Sequence, residues 1–168
     1  ELAIASENIL PASGYGLSNG KITVQISGGT PTYTYKWFKD NTEIADQTTE
    51  VLDNQPAGSY KLVVTDSKNC TLEQTFTITE PSAISITPSQ TNLLCNGAVT
   101  GSASVVVTGG TGGYTYSWAP SGGTAATATG LTANNYTCTI TDNNGCFITK
   151  TFIITQPAAP LSATTTHI

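Results

Sequence analysis

Few residues of this chain have the type and spacing that catalytic chemistry requires. The only histidine, His167, stands next to the C-terminus. Ser-His-Asp and Cys-His catalysis, and many zinc sites, depend on a histidine held inside a fold, so we expect neither chemistry here. The acidic residues form no pair of the kind that glycosidases use. We therefore predict that the protein is not an enzyme and that it has no cofactor.

The carboxylates remain candidates for a structural or metal-binding role, because carboxylates bind cations and cap turns. Asp66 and Asp142 each open a short turn, where a carboxylate can accept hydrogen bonds from backbone N–H groups. Calcium needs six to eight oxygen ligands. One acidic stretch is therefore interpreted as a solvated loop, with a weak cation site as the alternative, and we predict no metal site. Its acidic residues are Asp40, Glu43, Asp46 and Glu50.

An aromatic stripe has two possible uses. Tyr33, Tyr35 and Trp37 alternate along the sequence and therefore share one face of a strand, with Phe38 next to them. Such a face packs into a core or stacks on sugar rings, and its place on a central strand favours the core. Lys150 also falls on the inward side of a strand. There a stem that reaches out to solvent is favoured over an isopeptide bond with an asparagine.

Composition narrows the classes of partner. The chain has 168 residues and a net charge of -5, and all six basic residues are lysines. Nucleic-acid binding requires a basic face, so we exclude that class of partner. No apolar run approaches the roughly 20 residues of a membrane helix, so we predict no membrane insertion. Low charge and only four cysteines favour an extracellular location.

The chain contains one pattern twice. Residues 28–37 recur as residues 109–118, 81 positions later, and residues 60–66 recur as residues 136–142, 76 positions later. The difference of five residues predicts a longer loop in the first copy. A tandem repeat of whole domains is the signature of an array, and arrays of small β-domains supply length and surface.

Alternation with a period of two predicts strands throughout, and Gly-Gly and Asn-Gly pairs predict the turns between them. An inward tryptophan on a central strand is typical of an immunoglobulin-like sandwich. We predict an all-β fold of two tandem immunoglobulin-like β-sandwich domains, arranged end to end, with Tyr60 and Tyr136 in the tyrosine-corner position. The predicted core residues are Trp37, Trp118, Tyr60, Tyr136, Phe76 and Phe152.

Two prolines predict the domain boundaries. Pro81 and Pro157 each end a strand, because proline cannot donate to a β-ladder. Similar apolar alternation resumes after each of them. We therefore expect unit one at residues 1–81, unit two at residues 82–157, and the start of a truncated third unit at residues 158–168.

The motif set resembles the SprB repeat of Bacteroidetes surface proteins. In the second copy the resemblance rests on residues 95–97, 109–118, 130–131, 136–137 and 141–146. In the first copy it rests on residues 28–37, 58–60 and 65–66. The first copy departs from the pattern at Gly14, where the family has a cysteine. It departs again at Lys68-Asn69, where the family has Asn-Gly.

This resemblance implies a long, repetitive cell-surface adhesin that is attached at the outer membrane, exported by the type IX route and moved along the cell during gliding. Cys95 and Cys146 are the cysteines that match both family positions, so the resemblance also implies a disulfide between them. Cys138 lies on an inward position and is expected to be a buried free thiol, and Cys70 lacks a partner in its own unit.

The predicted function is a structural and adhesive module, monomeric as a fragment. Its expected partners are a surface polysaccharide or neighbouring repeats of the same chain. The alternative is a carbohydrate-binding accessory module of a secreted enzyme, similar to PKD-type domains. That alternative requires exposed aromatic residues on one face, and Phe38 and Phe147 are its candidates.

Overall fold

The computed structural model describes residues 1–158. It divides into two compact units, Glu1–Ser82 and a second unit that begins at Ala83. Nearly all of the predicted third unit lies outside the described residues. No helix in residues 1–158 has the length and hydropathy needed to cross a membrane. Every paired strand is antiparallel to its neighbour, so the predicted all-β immunoglobulin-like fold is confirmed.

Unit one is a sandwich of two sheets. One sheet has the order β1-β2-β5 and the other the order β4-β3-β6-β7. The strands are β1 (Ala3–Leu10), β2 (Gly20–Ser27), β3 (Thr34–Lys39), β4 (Thr42–Glu43), β5 (Val51–Gln55), β6 (Gly58–Thr65) and β7 (Thr71–Ile78).

Unit two repeats this arrangement with one strand fewer among its described residues. Its sheets have the orders β8-β9-β11 and β10-β12-β13. The strands are β8 (Ser85–Thr91), β9 (Gly101–Thr108), β10 (Thr115–Ala119), β11 (Thr127–Leu131), β12 (Asn134–Thr141) and β13 (Phe147–Ile154).

The longer loop predicted for the first copy folds into the extra strand of unit one. The two-residue strand β4 pairs with the end of β3, through Phe38 opposite Glu43 and Lys39 opposite Thr42. Residues 120–126 make the corresponding connection in unit two without a strand. The insertion therefore widens one sheet of unit one and leaves the rest of the topology unchanged.

Each unit has its own core between its two sheets, and the inward positions predicted from alternation supply it. Trp37, Tyr60 and Phe76 are at most 3% exposed, and their counterparts in unit two are at most 6% exposed. The tryptophan ring lies 5.8 Å from the ring of Phe76 in unit one, and 5.3 Å from the ring of Phe152 in unit two. Rings of this size dominate the buried apolar area of a small core.

Two glycines let the sheets approach each other closely. Gly20 and Gly101 open the second strand of each unit. A Cβ atom at Gly20 would lie 2.5 Å from Cγ2 of Ile78, and one at Gly101 would lie 2.8 Å from Cγ2 of Ile154. The last strand of each unit therefore packs directly over a bare backbone.

Candidate functional site

The polar residues of the repeated motif meet at one end of each unit in an arrangement we call the carboxylate clasp. In unit one, Asp66 is 5% exposed and accepts hydrogen bonds from backbone N–H groups. Thr30 donates to its Oδ2 at 2.9 Å, while Lys68 and Cys70 donate to its Oδ1 at 2.9 Å. The clasp joins the β2–β3 loop to the β6–β7 turn.

Unit two has the same clasp. Asp142 is 5% exposed. It accepts from the backbone N–H of Thr111 at 3.0 Å, of Asn144 at 3.0 Å and of Cys146 at 2.9 Å. Capping by both aspartates was predicted from the turn sequences. The bond to the distant Gly-Gly-Thr loop was not predicted, because it depends on which strands are neighbours.

Hydrogen bonding sets the ionisation of the clasp. The backbone N–H groups of Thr30 and Cys70 lower the pKa of Asp66 and outweigh the opposing effect of burial. Burial works to raise the pKa of Asp142, but the hydrogen bonds led by Thr111 together lower it. Both carboxylates are therefore anions at neutral pH, and backbone N–H groups of the same unit stabilise their negative charge.

Glycine is required beside each carboxylate. Gly29 and Gly110 have φ angles of +61° and +60°, which L side chains rarely adopt. A Cβ atom at Gly29 would lie 3.0 Å from Oδ2 of Asp66, and one at Gly110 would lie 2.7 Å from Oδ2 of Asp142. The second glycine of each Gly-Gly pair is therefore explained by the clasp.

The tyrosines and tryptophans of the motif also have internal partners. The Tyr33 hydroxyl donates to the carbonyl of Gly28 at 2.6 Å, and Trp37 Nε1 donates to the carbonyl of Thr49 at 3.0 Å. The Tyr60 hydroxyl donates to the carbonyl of Pro56 at 2.7 Å, which is the backbone contact of a tyrosine corner. In unit two, Tyr136 takes its corner bond as an acceptor from the N–H of Thr132.

The aromatic stripe lies against the core. Tyr33 and Tyr35 are partly buried and pack against the core of unit one, and Trp37 is fully buried. Phe38 is partly buried and lies under Lys61, whose Nζ is 5.1 Å from the ring centre. Phe147 is 70% exposed, and Tyr15, which alternation did not single out, is 64% exposed.

One acidic residue of the unit-one loop, Glu43, takes part in an ion pair. Glu43 contacts Lys36 at 3.1 Å, and both side chains are well exposed. No group of three or more histidine, cysteine, aspartate or glutamate side chains in residues 1–158 is arranged to hold a metal ion.

The structure does not contain the predicted Cys95–Cys146 disulfide, and both thiols are free. The N–H of Leu93 donates to the carbonyl of Thr155, which places the Cys95 loop beside the end of β13. Cys146 immediately precedes the start of that eight-residue strand. Eight residues of strand separate the two cysteines by roughly 25 Å, whereas a bridge needs Cα atoms within about 7 Å.

Of the other two thiols, Cys138 lies where the alternation of its strand indicated. Cys138 is fully buried in the core of unit two, and burial raises the pKa of its thiol to about 11. It therefore behaves as a small apolar side chain. Cys70 is exposed at the turn of the unit-one clasp.

Sequence reasoning missed a groove between the edge strands β8 and β13. It has a volume of about 260 Å³ and includes Lys150 among its lining residues. The available signal was the polar run Ser89-Gln90 in β8, where alternation alone would put an apolar residue at position 90. Unit one has Ile9 there, packed against its core.

The family comparison agrees with the repeat. The SprB repeat model matches residues 6–42 and residues 87–123, which together make up less than half of the chain. The matches begin 81 positions apart, which is the offset of the first repeated motif. Each unit therefore contains one match to the SprB repeat model.

Individual relatives are distant. A decoration protein of Escherichia phage T5 is 41% identical over 59 residues, which cover 32% of this chain and 36% of that protein. Among solved structures, the C-terminal 282-residue fragment of intimin, in complex with the intimin-binding domain of its translocated receptor, is 12% identical with a TM-score of 0.48. That alignment covers 90% of this chain and 64% of the fragment.

A second structural neighbour is the IG1+IG2 pair of DIP-gamma. It is 11% identical with a TM-score of 0.45, and the alignment covers 93% of this chain and 97% of that one. Likeness at this level concerns the fold alone. This chain spans about a third of the curated relative and slightly less than two thirds of the intimin fragment.

Proposed function

We propose that these two SprB repeats are a structural and adhesive segment of a bacterial cell-surface adhesin, that they act outside the cell, and that they do not catalyse a reaction. The observation that carries the proposal is the use of the motif. Its glycines, tyrosines, tryptophans and aspartates are engaged in clasps, corners and cores inside each unit. These contacts stabilise the sandwich itself, and we call the clasp, the corner and the core together the frame of a unit. An array requires a frame that can be repeated.

Adhesion by such an array depends on the number of repeats. Each unit presents a small surface, and many weak contacts on one chain add up because later contacts form at high effective concentration. A frame held by internal hydrogen bonds tolerates changes on its outer faces. We extend the proposal to attachment during gliding, with export by the type IX route, because that role was expected from the resemblance to the family.

Surface labelling of intact cells tests the location. Antibodies raised against the purified chain are applied to unpermeabilised cells of the source organism, with antibodies against a cytoplasmic protein as the control. We expect labelling before permeabilisation and loss of labelling after brief external proteolysis. Labelling that appears only in permeabilised cells would refute a surface location.

The adhesive role needs its own measurement. Fab fragments of the same antibodies are expected to reduce the number of cells that attach to glass, while Fab fragments against an unrelated surface protein leave attachment unchanged. Beads coated with the antibody are expected to travel along the cell body if the parent protein is moved during gliding. Normal attachment with the surface fully labelled would contradict the adhesive role.

The rival reading, an accessory module that stacks on sugars, gains little from the exposed rings. Phe147 belongs to unit two and Tyr15 to unit one, so neither unit presents both of these exposed rings. Phe38 is partly buried beneath a lysine. The groove between β8 and β13 in unit two is a better candidate for binding a polysaccharide than these rings.

A further inference from the structure

Unit two is almost free of charge. From residue 83 to residue 158 its charged side chains are Asp142 and Lys150 alone. Asp142 is buried in the clasp, where its charge is satisfied by backbone N–H groups. The side chain of Lys150 takes part in no ion pair or hydrogen bond among the described residues. The one unpaired charge of unit two is therefore a cation.

That cation lines the groove between β8 and β13. Both strands are at the edges of their sheets, so the groove is the open seam of the sandwich. Phe152 is 2% exposed and forms an apolar floor. The rest of the lining is polar apart from one proline ring. The lining residues are Pro88, Ser89, Gln90, Lys150, Thr151 and Phe152.

Unit one fills the equivalent place differently. Ile9 stands where unit two has Gln90 and packs against the core, while Gln74 stands where unit two has Lys150. Glu7 takes the position of Pro88, so the local charge there is negative. The two seams therefore differ in their residues and in their charge, although the two units share one sandwich topology.

We infer that the groove of unit two binds one residue of an acidic polysaccharide, namely a sugar ring that carries a carboxylate. The ammonium group of Lys150 would pair with the carboxylate. The hydroxyls of Ser89 and Thr151 already bond Ser104 and Thr137, and Nε2 of Gln90 donates to the carbonyl of Ile153. Each hydroxyl keeps a lone pair and Gln90 keeps its amide oxygen, so all three side chains can still accept hydrogen bonds from ring hydroxyls. This inference rests on the proposed adhesive function and names its ligand class.

The size of the groove agrees with a single sugar. Its volume of about 260 Å³ lies just below the roughly 300 Å³ at which sites for drug-sized molecules begin. The groove is open to solvent along the seam, so the neighbouring sugars of a polymer can continue outside it. One weakly bound residue per unit suits an array that gains strength from repetition.

A peptide strand fits the same edge less well. Pro88 has no N–H to offer to an added strand. On the other side of the groove, the side chain of Gln90 already donates to the carbonyl of Ile153 at 2.8 Å. Both features disfavour the continuous backbone pairing that strand addition requires.

The test is an NMR titration of the purified, ¹⁵N-labelled chain with sodium D-glucuronate, D-glucose and sodium acetate at equal ionic strength. We expect glucuronate to shift the amide signals of Gln90, Lys150 and Thr151. Glucose and acetate are each expected to bind at least about fivefold more weakly, because each lacks one half of the recognised chemistry.

Lys150→Gln gives the matched variant, since unit one carries glutamine at this place, and Lys36→Gln in unit one is the control. We expect Lys150→Gln to weaken glucuronate binding about tenfold, Lys150→Arg to retain it, and Lys36→Gln to leave it unchanged. A thermal melt of each variant verifies that the fold is intact.

Three outcomes would overturn the inference. They are equal binding of glucose and glucuronate, equal binding of acetate and glucuronate, and shifts produced only by an acidic extended peptide. Because the titration uses the purified chain, its failure leaves the cell-surface labelling untouched. Failure of the labelling in turn leaves the sugar site standing.

Discussion

Unit one and unit two share a frame but differ in the charge of their surfaces. Fifteen of the seventeen acidic and lysine side chains lie in unit one, and only Asp142 and Lys150 lie in unit two. Both units nevertheless keep the clasp, the buried tryptophan and the same sandwich topology. The difference shows that surface charge does not determine this fold. It is free to vary from repeat to repeat.

The shared frame also limits where the units can differ. The insertion in unit one adds β4 at the outer edge of a sheet, and the groove in unit two opens at a seam between sheets. Both changes lie at the edges of sheets, where few core contacts have to change: in the groove, Gln90 replaces the core-packed Ile9 of unit one. The clasp and the core permit no such freedom, because their atoms are close-packed.

The largest expected effect comes from removing a core tryptophan. Trp118→Ala should lower the free energy of unfolding of unit two by about 3–5 kcal/mol and leave unit one unchanged, because each unit has its own core. Each unit contains one tryptophan, so fluorescence of Trp37 reports unit one in this variant. Trp37→Ala is the reciprocal control. If the Trp37 unfolding midpoint falls along with unit two, the comparison of two independent frames fails.

A pair of glycine variants tests the clasp. Gly110→Ala should cost about 2–4 kcal/mol, because the new Cβ meets both left-handed strain and a crowded carboxylate. Gly112→Ala is the matched control, since its φ of +72° is similar and nothing lies within 4 Å of its Cβ position. It should cost only about 1 kcal/mol. Equal costs in urea denaturation would show that closeness to Asp142 is unimportant.

Acid should weaken both frames through the clasps. The pKa of Asp66 and that of Asp142 are lowered in the folded chain. Their stabilisation is therefore complete above the pKa of an unfolded aspartate, and is lost as the pH falls below about 4 towards the folded pKa. Urea midpoints at pH 7, 4 and 3 measure the loss. Asp142→Asn should be less stable at pH 7 and show a smaller further loss in unit two, and an unchanged acid response would contradict this role.

Cysteine variants separate the buried thiol from the turn thiol. Cys138→Ser should destabilise unit two by about 1–3 kcal/mol, because a hydroxyl replaces a thiol in an apolar core. Cys146→Ser, partly exposed at the turn, should stay within about 0.5 kcal/mol. In native labelling, Cys70 and Cys95 should react quickly and Cys138 should react only on unfolding. If the denatured, unreduced chain has fewer than four reactive thiols, a disulfide is present.

The smallest expected effect concerns surface charge. Glu43→Gln breaks an exposed ion pair with Lys36 and should change the stability of unit one by less than about 1 kcal/mol, with a still smaller effect at high salt. Thr42→Ser, at the neighbouring position of β4, is a control that keeps the charges. A larger loss would mean that charge contributes to the frame of unit one.

Much of the fold was readable from local patterns. The alternation at Ile22, Val24 and Ile26 identified a strand and its inward face, and two of these three side chains are fully buried. The turn sequences located the hairpins that Asp66 and Asp142 open. Such features depend on neighbouring residues, so a single sequence contains them.

The pairing of cysteines differs from these features, because it depends on contacts between residues that are far apart in sequence. The resemblance to the family matches both Cys95 and Cys146, but it does not show at which end of a sandwich each one lies. Strand direction decides that, since Cys95 lies beside the end of β13 and Cys146 lies before its start.

The repeat, the strands, their inward faces and the five-residue insertion can be predicted from the chain alone, because they follow from its periodicity and composition. The folded structure is needed to see which loops meet at the clasp and that residues 88–90 and 150–152 form one groove. Those contacts join strands that are far apart in sequence but meet at one edge of a sandwich. The pairing order of the sheets, which alternation does not encode, brings them together.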